Sequence, residues 1–462
     1  MEKLLQTLQK NLKPQCAKIL LTALQNSNDE SFFAFVLENL ESIIVWLNSK
    51  EFEHMYLNVQ SPPPSYPPLL NPAFIDSDSS QYCANLAWNL NLPLPKKYKF
   101  IYVSPHGVGA AAFLRYLNEC CNVFCQASWV LPNDAKERYC FQYMCLNSTH
   151  IQEQALNISE LDVKDFGKYL SLFDSEVKII CGVRDPISLL KHCLGRDWSK
   201  VERKFEPNIN LTYDFRKIIE FLRHRKPDIE IDFTLLKQSS FMLHNLLDKF
   251  SSIRFIDMSE FSYDTLSSLA VDFCFSPPSP TSKELFKIQE FRGYLRYMFP
   301  LKLYANKNDV KNIFSLSKPN NHFNHSIDTL ESIVFTFNRK HKSEEINILD
   351  EFHRSYLNDD MGIYISKEHF QILRQDTALY RSCKNYIQAF MEKIKEVVDE
   401  SERTMLKEEE LLDFLKQRPK LSLQVYEELF AKELAVISKH RPDIVQKWKY
   451  YRRFEKNVLQ NK

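Results

Sequence analysis

The sequence predicts an α/β fold: a parallel sheet flanked by helices, with helical N- and C-terminal extensions. Three observations predict it. After Pro95, short apolar runs that are β-branched or aromatic alternate with helix-length amphipathic segments, and strands in alternation with helices imply parallel pairing through crossover helices. Of only seven glycines in 462 residues, two fall in Ser104 to Ala112 (SPHGVGAAA), between one such strand and the helix that follows. Both ends of the chain carry apolar residues at helical spacing.

In chain order, residues 1–60 form a helical N-terminal region, with Leu20, Leu21 and Leu24 and then Phe32, Val36, Leu40, Ile43 and Leu47 on helix faces. Residues 61–98 are a proline-rich connector, because the prolines of Ser61 to Pro72 fix φ and remove backbone donors. The α/β core is expected over 99–300, with strands at Lys99 to Val103, Asn122 to Val130, Val177 to Val183 and Ile253 to Met258. Helices are expected at Ala110 to Asn118 and Asp162 to Phe173. Residues 301–350 read as an irregular connection, and 351–462 as a helical C-terminal region with long patterns at Lys367 to Ser401, Thr404 to Gln417 and Ser422 to Val458. The acidic run Glu408 to Glu410 is offset by the basic stretch Lys447 to Lys456, which admits a fold-back through charge pairing, although solvated faces are the expectation.

Lys+Arg (60) and Asp+Glu (59) nearly cancel, so no global field draws a polyanion and no nucleic-acid partner is expected. The aromatics of the tail, Trp448, Tyr450, Tyr451 and Phe454, are expected to pack inward. The eleven cysteines are scattered and form no Cys-x-x-Cys pair, and His322 and His325 have no evident third ligand, so no metal site is expected. No stretch approaches the roughly 20 apolar residues that span a bilayer, and Met1 to Pro14 lacks a signal-peptide core. A reducing, cytoplasmic location is the expectation.

The glycines of the 104–112 segment let the backbone curl so that successive N–H groups converge, and the helix that follows adds free amides and its dipole. Such a loop suits a phosphate. An ATP or GTP loop needs Gly-x-x-x-x-Gly-Lys-Ser/Thr, which is missing here. Gly107, Gly109 and Ala112 match the dinucleotide pattern Gly-x-Gly-x-x-Gly/Ala literally, but Gln126 to Trp129 offers no acid for a ribose hydroxyl. A second element is Arg184-Asp185-Pro186 at the end of the Val177 to Val183 strand, where an arginine fork can reach a ligand beside the first loop.

This strand-loop-helix followed by a strand ending in Arg-Asp-Pro resembles the P-loop sulfotransferases over about Lys99 to Phe275. The resemblance implies a three-layer core and 3′-phosphoadenosine 5′-phosphosulfate as cofactor. By similarity Pro105, His106, Gly107, Val108, Gly109 and Ala110 hold its 5′-phosphosulfate and Arg184 its 3′-phosphate, with Ser188 or His192 in place of the family's serine. His106 stands for the loop lysine as catalytic residue, and glycines and Ala110 replace the loop hydroxyls. The late strand Ile253 to Met258 with Ser259-Glu260-Phe261, and Arg292-Gly293 as a late phosphate contact, resemble the same family. The implied partners are the nucleotide and a small-molecule or glycan acceptor, with His150, Asp134 and Glu137 as positional candidates for the acceptor base. A non-catalytic nucleotide- or anion-binding descendant and a nicotinamide-dependent oxidoreductase remain as alternatives. Segments such as Tyr66 to Leu70, Asn91 to Pro95 and Arg441 to Val445 with Trp448 to Tyr451 also resemble an uncharacterised family of epsilonproteobacterial proteins.

Overall fold

The computed structural model describes residues 8, 10–58, 66–75, 82–148, 152–159, 164–174, 176–195, 208–223, 243, 250, 252–287, 295–310, 331–340, 344–353 and 361–456. The strands described there are β1 Ile101–Val103, β2 Val123–Cys125, β3 Glu153–Asn157, β4 Ile179–Val183, β5 Asn208–Asn210, β6 Ile253–Asp257, β7 Leu301–Ala305, β8 Ile333–Arg339, β9 Ile346–Asn347 and β10 Met361–Ile365. They form two five-stranded sheets in two compact units. The first unit comprises 1–190, 232–282 and 414–462, and the second 191–231 and 283–413.

In the first unit the sheet is parallel throughout, in the order β2-β3-β1-β4-β6. Each crossover contains a helix: Ala110–Cys121 after β1, Ala135–Asn147 after β2, Phe166–Ser171 after β3 and Pro186–Leu194 after β4. The central strands β1 and β4 are buried at every position, as a sheet covered on both faces requires. The α/β architecture with a helix-flanked parallel sheet is therefore present. Its strands are shorter than expected, and Asn122 to Val130 divides into β2 and a 3₁₀ turn at Ser128–Val130. β3 went unpredicted because its sequence, EQALN, is largely polar, although Gln154 and Asn157 are both buried.

Helices Pro14–Asn26, Glu30–Glu38 and Leu40–Leu47 belong to this unit. The proline carbonyls serve as acceptors there: the Trp46 indole N–H donates to Pro68 at 2.9 Å and Asn91 Nδ2 to Pro67 at 3.0 Å.

The second unit has the strand order β5-β7-β8-β10-β9, with β5 parallel to β7 and the other pairs antiparallel. Here the structure corrects the expectation for 301–350, since β7, β8 and β9 run through it. Alternation in β8 (IVFTFNR) buries Ile333, Phe335 and Phe337 on one face. The 28-residue helix Thr377–Thr404 places Ile387, Phe390, Met391 and Ile394 in the same core. Residues 414–462 group with the first unit and 351–413 with the second. Among the described residues no helix is long and apolar enough to cross a membrane.

Candidate anion-binding site

The segment leaving β1 takes two left-handed steps, at Gly107 (φ 95°) and Gly109 (φ 83°). A side chain is disfavoured there because Cβ meets the following carbonyl, and a Cβ on Gly109 would also stand 3.2 Å from Met258 Cγ. Gly109 is the N-cap of Ala110–Cys121 and supplies no side-chain cap. Its carbonyl accepts from Ala112 and Phe113 at 3.1 and 3.2 Å. Gly107, Gly109 and Ala110 are partly exposed, as is His106. A turn of this shape at the start of a 12-residue helix offers main-chain donors and the positive end of a dipole.

Sheet order fixes what stands beside the loop. The chain leaves β1 toward β2 and leaves β4 toward β6, in opposite directions, although β1 and β4 are neighbours. Such a switch point opens a crevice at the carboxyl ends of the two strands. Arg184, the first residue past β4, is half-buried there, and its Nη1 donates to Gly107 O at 2.8 Å. Pro105 to Ala110 and Arg184 are thus brought together. Ser188 lies one turn into Pro186–Leu194 and is buried, and His192 is further along the same helix.

Asp185 turns away from the loop. Its Oδ1 accepts from Ile187 N at 2.9 Å, and its Oδ2 accepts from Tyr450 N and Tyr451 N at 2.9 and 3.2 Å. Burial raises its pKa, against the pull of these amides. At the end of β6 the Trp448 indole N–H donates to Asp257 Oδ2 at 2.7 Å. Arg441 donates to Glu260 Oε1 at 2.8 Å and to Phe255 O at 2.9 Å, and its fork also holds Asp443. That hydrogen bond lowers the Asp443 carboxyl to about 2. The acids at the carboxyl ends of β4 and β6, Asp185, Asp257 and Glu260, therefore dock the C-terminal segment onto the sheet.

The comparisons with known proteins add one finding. Residues 255–458 match the family described as a protein of unknown function (DUF2972). No curated protein and no solved structure matches the chain. The matched stretch, less than half of the chain, begins within β6 and includes both partners of the Asp257–Trp448 and Glu260–Arg441 contacts. The glycine loop and Arg184 lie before it.

Between the loop and the helix Lys420–His440 lies a cleft of about 330 Å³ including its mouth, lined by Pro105, Val108, Arg184, Phe430, Leu434 and Trp448 among others. Its wall is mainly apolar. Glu433, on the same helix, accepts from Leu243 N at 3.0 Å. Of the positional candidates for an acceptor base, Asp134 caps Ala135–Asn147 by accepting from Glu137 N, and Glu137 is exposed. His150, Arg292, Gly293, His322 and His325 lie outside the described residues. Sequence reasoning missed the docking roles of Asp185, Asp257, Arg441 and Trp448. The available signal was the set of polar residues in Arg441-Pro442-Asp443 and Trp448, spaced within one otherwise helical run.

Proposed function

We propose that the first unit binds a phosphate-bearing nucleotide at the Ser104 to Ala110 loop, of the 3′-phosphoadenosine 5′-phosphosulfate class that the likeness to P-loop sulfotransferases implies. The observation that carries the reading is the meeting of Arg184 with the loop, Nη1 to Gly107 O at 2.8 Å, at the sheet's switch point. The donor set fits an anion: main-chain amides of the partly exposed Gly107, Gly109 and Ala110, a helix dipole and one guanidinium. When bound, such a nucleotide supplies an activated sulfuryl group for transfer to a hydroxyl of a small metabolite or glycan precursor. The chain's part is to hold the phosphates through Gly107, Gly109 and Arg184, and to offer a proton from the His106 imidazole to the leaving oxygen.

A second reading, binding without turnover, is favoured by two specific features. The loop has His106 and glycines where the family has lysine and hydroxyls. The adjoining cleft, whose roughly 330 Å³ includes its open mouth, encloses little space of its own and has a mainly apolar wall, short of the enclosed volume that small-molecule pockets usually provide.

Calorimetric titration with adenosine 3′,5′-bisphosphate tests the nucleotide reading. Saturable binding is expected, weakened at least ~10-fold in Arg184→Ala, since charge-assisted hydrogen bonds contribute ~1.5–3 kcal/mol each. Binding of NAD(H) with none of the bisphosphate would overturn the reading in favour of the oxidoreductase pattern. Transfer of labelled sulfate to hydroxylated acceptors then separates catalysis from binding alone.

A further inference from the structure

Beneath the glycine loop the sheet carries three buried polar atoms that lack a hydrogen-bond partner: Tyr102 Oη, Ser104 Oγ and Asn157 Nδ2. Tyr102 is fully buried, and Ser104 and Asn157 are each 2% exposed. They are neighbours in the sheet. Tyr102 and Asn157 are register partners across β1 and β3, and Ser104 follows two residues later with its amide donating to Ser159 Oγ at 2.7 Å.

The packing aims the phenol at the underside of the loop. Phe113, from the helix that the loop opens, stacks on the Tyr102 ring at 4.9 Å. Gly182 of β4 leaves room for the hydroxyl: a Cβ there would stand 3.2 Å from both Tyr102 Oη and Val108 Cγ2. Burial pushes the phenol's pKa upward and the nearby Ser104 hydroxyl opposes this, yet the two hydroxyls do not meet in hydrogen-bonding geometry.

The three groups have donor capacity in common. Asn157 Oδ1 is already taken by Ser159 N at 2.9 Å, which leaves the amide N–H groups. A set of donors without acceptors, next to a helix N-terminus, complements a species that only accepts. We propose that Tyr102, Ser104 and Asn157 form the floor of the anion site and donate to an oxygen of a tetrahedral oxyanion, a phosphate or sulfate ester, which the loop amides hold from above. The proposal rests on the nucleotide reading of the loop and adds side-chain donors to the main-chain amides and the His106 imidazole. Val108 lines the cleft and shares with Tyr102 Oη the space above Gly182, so its side chain must move for the oxygen to reach the floor.

Tyr102→Phe keeps the ring and its stacking on Phe113 and removes only the hydroxyl. An unpartnered buried hydroxyl destabilises a fold, so the unliganded variant is expected to melt at the wild-type temperature or above it. Its affinity for adenosine 3′,5′-bisphosphate and for inorganic phosphate is expected to fall ~10-fold or more, in line with loss of a hydrogen bond to a charged group. Ser104→Ala should behave the same way. Wild-type binding that survives both substitutions within about two-fold would overturn the floor while leaving the nucleotide reading standing, whatever happens to the melting temperature. Failure of the wild-type chain to bind either probe overturns both.

Discussion

At the scale of single residues, Gly109 shows how a local conformation creates a site. Its φ of 83° turns the chain from β1 into the helix, and it brings no side chain to cap the helix's first amides. Gly109→Ala should cost ~1–2 kcal/mol of stability from the left-handed backbone alone, with contact against Met258 Cγ at 3.2 Å adding to it. Urea unfolding measures this, and an unchanged midpoint would contradict the conformation. The scarcity of glycine made this position legible in the sequence. Gly182 was not legible, because its small size matters only where β4 passes Tyr102 and Val108, a proximity that no local pattern encodes.

At the scale of elements, the C-terminal helices are fixed by polar contacts made far along the chain. Arg441 bridges Glu260 and Asp443, and its hydrogen bond holds the Asp443 carboxyl down to about 2. An unfolded aspartate titrates near ~3.9, so between these values the folded chain binds fewer protons than the unfolded one. The stability from this group is complete above pH ~4 and is lost as pH falls toward the folded value. Asp443→Asn should therefore flatten the acid limb of a plot of urea midpoint against pH, measured from about pH 5 to 2. Periodicity placed the outer bounds of these helical runs to within a few residues, but Lys367 to Ser401 divides at Asp376 into two helices and Ser422 to Val458 into three, Lys420–His440, Pro442–Lys447 and Lys449–Phe454. It also gave no sign that Asp185 would accept the amides of Tyr450 and Tyr451. β3 was illegible for a related reason: Gln154 and Asn157 read as surface residues until Cys145 O and Ser159 N are seen to bond them.

At the scale of the whole molecule, two sheets have separate cores. Phe390 is fully buried in the second unit, against Phe337 at 5.5 Å and Phe215 at 5.6 Å. Phe390→Ala should lower the stability of that unit by ~3–5 kcal/mol, as a shifted calorimetric transition. The affinity of the first unit for adenosine 3′,5′-bisphosphate should be unchanged. A parallel loss of anion binding would show that the cores are not independent.

The sequence by itself determined the class of fold and the position of the candidate loop. Short β-branched strands between amphipathic helices admit few arrangements other than a covered parallel sheet, and two glycines between a strand and a helix mark a turn whose amides converge. Only the tertiary structure decided that the Arg184 guanidinium meets Gly107, that Asp185 serves the C-terminal segment, and that Tyr102, Ser104 and Asn157 lie unpartnered below the loop. Backbone periodicity is a property of neighbours in sequence. Which strands become neighbours, and so which side chains share a buried space, is settled by the packing of the whole sheet.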